Sequence, residues 1–271
     1  MEEITFNLND GLWYYIYEHL AKDTGGIQPW QFILLTSAFV IISIVAGYLL
    51  GSVNSAIIVS RVFYNDDIRR HGSGNAGLTN ILRTYGKGAA GFTLLGDFLK
   101  TAIAVAIGGL LGGFGYFGGL SIGGVPQGTF PLAYIAGLFS IIGHVYPIFY
   151  KFKGGKGVAT SIAVLLMMEP LSAAACILVF LVLVIGTRYI SLGSVGAAFL
   201  APVFVDSLYR YSHVVVEEYN GELKGVGIQP TAFQIVSIVV IALLVIFKHR
   251  ANLKRLYNGE ESKFYFKKSV K

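Results

Sequence analysis

Apolar residues run along this chain in blocks of about 20, not in the short alternations or narrow stripes of a water-soluble core. Seven blocks stand out, at 32–52, 88–112, 130–150, 157–169, 170–187, 190–206 and 231–248. A helix needs about 20 mostly apolar residues to cross the ~30 Å hydrocarbon layer. The pattern therefore predicts an all-α integral membrane protein with seven transmembrane helices. The fourth and fifth blocks form one nearly unbroken stretch divided at Glu169-Pro170. Pro170 cannot continue a helix from the preceding turn, which predicts a tight helical hairpin there.

Ahead of the first block, Trp13, Ile16, Tyr17 and Leu20 repeat at i, i+3, i+4 and i+7 beside Tyr14, Glu18 and His19. That is the spacing of an interfacial helix, set in an N-terminal extension over 1–30. Residues 31–271 form a single transmembrane domain, with a polar insert at 207–230 and an uncharged, Gly-rich connection from Gly108 to Gly128.

Charge sets the orientation, because Lys and Arg stay on the cytoplasmic side of short loops. Arg61, Arg69, Arg70, Arg83 and Lys87, then Lys151, Lys153 and Lys156, then Arg188, then eight from residue 248 onward make seventeen of the 21 Lys and Arg. Lys22, Arg210 and Lys224 lie on the alternate segments, and Lys100 falls inside the second span. Seven spans fit this alternation, with the N-terminus outside and the C-terminus cytoplasmic. An even number would put one basic set on the wrong face. The first ten residues carry three acidic groups where a basic leader would be expected, so no signal peptide is predicted.

Composition narrows the class further. Charged residues make up 13% of the 271 and the set AVILMFWYC 54%, against about 25% charged in soluble domains. A disordered chain, a collagen and a soluble globule of this size are excluded. The lone Cys176 excludes an internal disulfide and a Cys-rich zinc site, and its apolar setting marks it as packing. No His, Asp and Glu cluster has ligand-like spacing, so no metal and no cofactor are expected.

Against the apolar background stand three polar, Gly-bearing segments, RRHGSGNAGLTNILR (69–83), KFKGGKG (151–157) and HRANLKRLYNGEESK (249–263). All three fall on the inner face, so they can converge into a basic cytoplasmic pocket without crossing the bilayer. In Gly72-Ser73-Gly74-Asn75 the glycines free the backbone to turn its N–H groups toward an anion, and Ser73 and Asn75 add donors. Lys156 between Gly155 and Gly157 presents a point charge, while Arg83 and Arg255 offer forked donors suited to phosphate oxygens. Topology and anionic lipid attraction would explain any single Lys or Arg here. They do not explain the glycines, the Ser or the Asn, and phosphate binding does.

Nucleotide motifs fail on context. Gly72-x-Gly74-x-x-Gly77 has Asp97 20 residues on, but it is preceded by Asp-Asp-Ile-Arg-Arg-His instead of a buried strand, and Asp97 sits in a membrane block. Gly155-Lys156 is followed by Gly157 where a P-loop has Ser or Thr. Asp97 and Lys100 lie at i and i+3, either as a mutual ion pair or as part of a site. His144 suits an interfacial structural histidine. His249 opens the third segment with Asn252 and Arg255 on one broad helical face, which makes it the better candidate for chemistry.

With these segments in view, the chain resembles the bacterial membrane acyl-phosphate:glycerol-3-phosphate acyltransferases, the PlsY family. The resemblance rests on Gly51-Ser52, on Asp67 to Gly77 with Thr79-Asn80 and Arg83, on Gly143-His144 with Pro147, and on Phe152 to Thr160. It continues through Arg188-Tyr189 with Ser191 and Ser194, and His249 with Asn252, Arg255-Leu256, Gly259 and Glu261, in family order from about 40 to 264. The sequence departs from the pattern at Leu78, where alanine is usual, at Asn54-Ser55 in place of Thr-Gly, and at Glu260 in place of Thr.

The resemblance implies transfer of a fatty acyl group from acyl phosphate to the 1-hydroxyl of sn-glycerol 3-phosphate, giving lysophosphatidic acid and phosphate, the first step of phospholipid synthesis. It implies a multi-pass protein of the bacterial plasma membrane whose active site faces the cytoplasm, in contact with membrane lipids and with no nucleic-acid partner. On that basis His249, Lys156, Arg83 and Ser73 are the expected catalytic residues. Gly72, Gly74, Asn75, Thr79, Asn80, Gly154, Gly155, Gly157, Ser191, Ser194 and Asn252 are expected to bind substrate. No histidine has Asp five residues on, as soluble-domain acyltransferases do; His213 has Glu218, on the expected outer side. The base is then either neutral His249 or a phosphate oxygen of the donor, with the second favoured. A transporter for an anionic metabolite is the competing reading, but it would call for inverted repeats and broken helices near the bilayer midplane, and no repeat is visible.

Overall fold

Every apolar block forms a helix in a computed structural model, which describes residues 11–24, 28–113, 120–121, 131–212, 214–219, 222–227 and 230–264. In chain order these are α1 (Gly11–Thr24), α2 (Pro29–Ser52), α3 (Ser55–Tyr64), α4 (Leu78–Tyr85), α5 (Lys87–Gly112), α6 (Leu132–Val145), α7 (Val158–Met168), α8 (Pro170–Thr187), α9 (Ile190–Ser212), α10 (Ala232–Lys248) and α11 (Arg250–Tyr257). Single turns of 3-10 helix cover Ile68–Arg70 and Ile148–Tyr150.

Among the described residues, five segments are long and apolar enough to cross a membrane: Pro29–Tyr64, Lys87–Gly112, Leu132–Tyr150, Pro170–Thr187 and Ile190–Tyr211. α10 with α11, bent by 51°, makes a sixth. Where seven were expected, five or six meet the test, because α7 has 11 residues and spans only about 16 Å. Pro170 opens α8 directly after Glu169, so the hairpin α7–α8 turns where the Glu-Pro pair predicts.

The all-helical expectation needs one correction. β1 (Leu120–Ser121), β2 (Val214–Tyr219) and β3 (Glu222–Gly227) form a small sheet in the order β1-β2-β3. β2 runs antiparallel to β3, with Val214 opposite Gly227 and Tyr219 opposite Glu222, and β1 lies parallel to β2. The signal was present in the insert: Val214-Val215-Val216 is a β-branched run, and Asn220-Gly221 separates the two strands by the two residues a hairpin favours. Most of the Gly108–Gly128 connection lies outside the described residues.

Helix packing is close where small residues let backbones meet. A Cβ on Gly47 or Gly51 of α2 would stand 2.3 and 2.0 Å from the carbonyl oxygens of Ala136 and Ser140 on α6, so only glycine allows this approach. The main core joins α5 to α10 through Val105, Tyr134, Ile141, Val164, Met168, Val205, Tyr209 and Ile238. Ile33, Leu34, Val182, Ile185 and Phe199 are instead exposed, as an apolar belt requires when lipid is the solvent. α1 turns its aromatic face onto α2: Trp13 is buried, its Nε1 donates to Thr36 Oγ1 at 3.1 Å, and Phe32 meets its ring edge-on.

Candidate active site

The first polar segment is held by two side chains. Asp67 accepts from the backbone N–H of Arg69 and pairs with its guanidinium, Nη2 to Oδ2 at 2.6 Å, and that guanidinium holds the Asp67 carboxyl well below the usual range. Arg69 Nη1 also donates to Tyr150 O at 3.1 Å, tying this loop to the start of the second. Asn80 sits buried at the loop's centre. Its Oδ1 accepts from Ser73 N, and its Nδ2 donates to the carbonyls of Ile68, His71 and Asn75. Gly72, at a left-handed φ of 53°, could carry no side chain, since a Cβ there would stand 2.3 Å from Asn80 Oδ1.

The second segment folds over His144. Gly155 N donates to His144 O at 3.1 Å, and a Cβ on Gly154 or Gly155 would meet His144 O at 2.0 Å or His144 Nε2 at 2.1 Å. Gly157 then takes a φ of 85° as the N-cap of α7, which aims Lys156 inward.

The third segment begins at the break between α10 and α11. Lys156 Nζ donates to Asn252 Oδ1 at 2.5 Å, and Asn252 Nδ2 donates to Glu261 Oε1 at 2.7 Å. Glu261 also accepts from Ser191 Oγ at 2.9 Å and from Arg255 Nε at 2.8 Å, while Arg83 Nη2 donates to Ser262 O at 3.3 Å. His249 Nδ1 faces Val245 O at 2.8 Å, so Nδ1 carries the proton and Nε2 is left as an acceptor. Burial, reinforced by the Lys156 charge, brings the His249 imidazole down to about 4 and keeps it neutral near pH 7. Burial likewise lowers the Lys156 ammonium to about 8, with Glu261 opposing and Arg255 and Arg83 adding to the fall.

All three segments border one cavity of about 1170 Å³. Ser73, Arg83, Lys156 and His249 line it, as do Gly72, Asn75, Thr79, Asn80, Gly157, Ser191, Ser194 and Asn252. Gly74, Gly154 and Gly155 are not on its wall; they shape the loops behind it. Asn80 reaches the wall with its amide already committed to the loop. Away from this polar end the same cavity continues between Leu94, Leu165, Ile177, Ala201 and Ile238, an apolar slot. Glu261, an acid in a basic stretch, has a larger part than its place in the sequence suggested: it accepts from three of the surrounding side chains. Among the described residues no three His, Cys, Asp or Glu side chains gather as metal ligands would.

Residues 41–259 match the family model described as glycerol-3-phosphate acyltransferase. This chain is a member of the PlsY family. Its curated relatives include the glycerol-3-phosphate acyltransferases of Finegoldia magna, 34% identical over 83% of this chain and 96% of that one, and of Clostridioides difficile, 38% identical over 85% and 98%. A crystal structure of PlsY, an integral membrane glycerol 3-phosphate acyltransferase in its glycerol 3-phosphate form, superposes with a TM-score of 0.65 at 30% identity, covering 83% of this chain and 96% of that one. The lysophosphatidic acid form superposes with a TM-score of 0.63 at 29% identity, covering 83% and 95%. As a PlsY family member the protein is a membrane acyltransferase of lipid biosynthesis.

Proposed function

We propose that this enzyme acylates the 1-hydroxyl of sn-glycerol 3-phosphate with the acyl group of an acyl phosphate, giving lysophosphatidic acid and phosphate, in a bacterial plasma membrane. The observation that carries this reading is a single cavity with cationic and polar side chains at one end and an apolar slot at the other. Such a cavity suits a donor that has both a phosphate head and a long chain. The glycerol oxygen attacks the acyl carbonyl carbon, the new C–O bond forms, and the bond from acyl carbon to phosphate oxygen breaks. Phosphate is a good leaving group, so the protein contributes mainly positioning and charge stabilisation.

The hydroxyl proton passes to a phosphate oxygen of the donor. An imidazole near 4 is a poor base at neutral pH, whereas a phosphate with a second pKa of about 6 is a better one. His249 Nε2 accepts a hydrogen bond from the neighbouring 2-hydroxyl of the glycerol and so orients the attacking oxygen toward the acyl carbon. Ser73, Asn75, Thr79, Arg83, Lys156, Ser191, Ser194 and Asn252 hold the two phosphates.

The membrane topology we infer has seven passes, the N-terminus outside, and the C-terminus and active site cytoplasmic. The apolar block 157–169 and the alternation of basic-rich and basic-poor connecting segments support α7 as a pass.

Purified protein in detergent, given acyl phosphate and glycerol 3-phosphate, should release phosphate and form lysophosphatidic acid. A transporter of anionic metabolites would release none, and that result would overturn the reading.

A further inference from the structure

Three ionisable side chains meet between the helices at the polar end of the cavity, Asp97 and His144 on its wall and Lys100 behind them, and the reaction above uses none of them. Lys100 Nζ has three acceptors close by: Val53 O at 2.7 Å, Asp97 Oδ1 at 2.9 Å and His144 Nδ1 at 3.0 Å. His144 Nδ1 stands 3.4 Å from the same Asp97 oxygen. All three residues are buried. Lys100 thus hydrogen-bonds Val53 O and His144 Nδ1 and meets Asp97 as an ion pair, and Asp97 Oδ1 has no hydrogen-bond partner of its own. Buried charge among apolar helices is costly unless each group is partnered, and a simple packing role would be met as well by aliphatic side chains.

Each arm of this cluster ends on a phosphate-binding loop. On one side, Lys100 holds Val53 O; the next residue, Asn54, caps α3 and donates from Nδ2 to Ala76 O at 3.3 Å, within the Gly72–Gly77 turn. On the other side, Lys100 orients the His144 ring, and the loop at Gly154-Gly155 is moulded on that residue's carbonyl and Nε2. The loops also lie close together, since a Cβ on Gly155 would stand 3.0 Å from Ala76 O.

We propose that Asp97, Lys100 and His144 are positioning residues that set the spacing between the Gly72–Gly77 turn and the Gly154–Gly157 loop, and so the alignment of the two phosphate-bearing substrates. This inference rests on the acyl-phosphate reading above. Misalignment by about an ångström can cost up to a hundredfold in rate, and it lowers kcat more than it weakens either substrate alone.

The test compares His144→Asn with His144→Leu. Asn can place an acceptor where Nδ1 stands and keep Lys100 in place; Leu cannot. Asp97→Asn and Lys100→Met remove the ion pair from the other direction. Purified in detergent and checked for an unchanged elution profile, His144→Leu, Asp97→Asn and Lys100→Met should each lose at least about tenfold in kcat, with KM for glycerol 3-phosphate shifting less. His144→Asn should retain most of the rate.

A second measurement needs no activity. Spin labels on Arg70→Cys and Lys153→Cys, in a Cys176→Ser background, should give a narrow separation that broadens in Asp97→Asn. Equal losses in His144→Asn and His144→Leu, or an unchanged label separation in Asp97→Asn, would overturn the proposal. Failure of the parent enzyme to release phosphate would instead refute the acyl-phosphate reading and leave the label measurement standing.

Discussion

Lys156 Nζ donates to Asn252 Oδ1 at 2.5 Å, although 96 positions separate them in the chain. Through Asn252 the contact reaches Glu261 and from there Ser191 and Arg255. The Gly-rich loop before α7, the start of α9 and the bent end of α10–α11 therefore share one polar network. A change at any member is felt at the cationic end of the cavity.

Lys156→Ala should lower kcat/KM by about 10- to 150-fold, the equivalent of the 1.5–3 kcal/mol typical of a hydrogen bond to a charged group. Phosphate release at saturating and limiting glycerol 3-phosphate measures it. An unchanged rate would remove Lys156 from the site.

The pH profile follows from two lowered groups. Lys156 acts as a cation, so its contribution is complete well below its value of about 8 and is lost as pH rises through it. His249 acts as a neutral acceptor, so its contribution is lost only as pH falls toward about 4. Neither group titrates between these limits, so kcat/KM should rise only with the donor phosphate's own ionisation near about 6, level off toward pH 7 and decline above 8. Lys156→Arg should shift the alkaline limb upward, because a guanidinium stays charged. An alkaline limb that does not move in that variant would assign it to another group.

Glu261→Ala leaves Ser191, Asn252 and Arg255 without their shared acceptor. Activity should fall by at least about tenfold, and Glu261→Gln, which keeps one carbonyl, should fall less. Because Asn252 loses its orienting partner, the Lys156→Ala and Glu261→Ala losses should be less than additive, which a double-mutant cycle measures.

On the acyl-phosphate reading the apolar slot should set a chain length. Ile238 lies eleven residues before His249 on α10, about 16 Å along the axis, and both line the cavity. At about 1.25 Å per methylene, from a 1.52 Å C–C bond, that depth takes roughly a dozen carbons. Ala201→Phe should fill its inner part and lower the rate with a 16-carbon acyl phosphate at least tenfold more than with an 8-carbon one. Equal effects on both would place the chain elsewhere.

Much of this site was legible before any coordinates. In a chain that is apolar for 20 residues at a time, a glycine-rich stretch with Arg, Ser and Asn stands out, and three such stretches at the ends of the expected spans imply a shared pocket. Asp97 and Lys100 were visible as a pair at i and i+3. The entry of His144 into that pair was not visible, since it depends on α6 lying against α5. Glu261 was also obscured: an acid among basic residues looks like local charge balance until the tail folds back to place its carboxylate between α9 and α11. The sheet is hidden in the sequence because the β-branched run beside Asn-Gly lies within a polar insert.

Hydrophobic period and charge placement are local properties of the chain, so the sequence by itself determined the helices, the clustering of basic residues in particular connecting segments, and the residue types available for phosphate. Distances between segments depend on how closely backbones approach and which buried polar groups find partners. Only the tertiary structure decided those: the glycine contact of α2 with α6, the folding of Gly154-Gly155 over His144, and the depth of the slot behind Lys156.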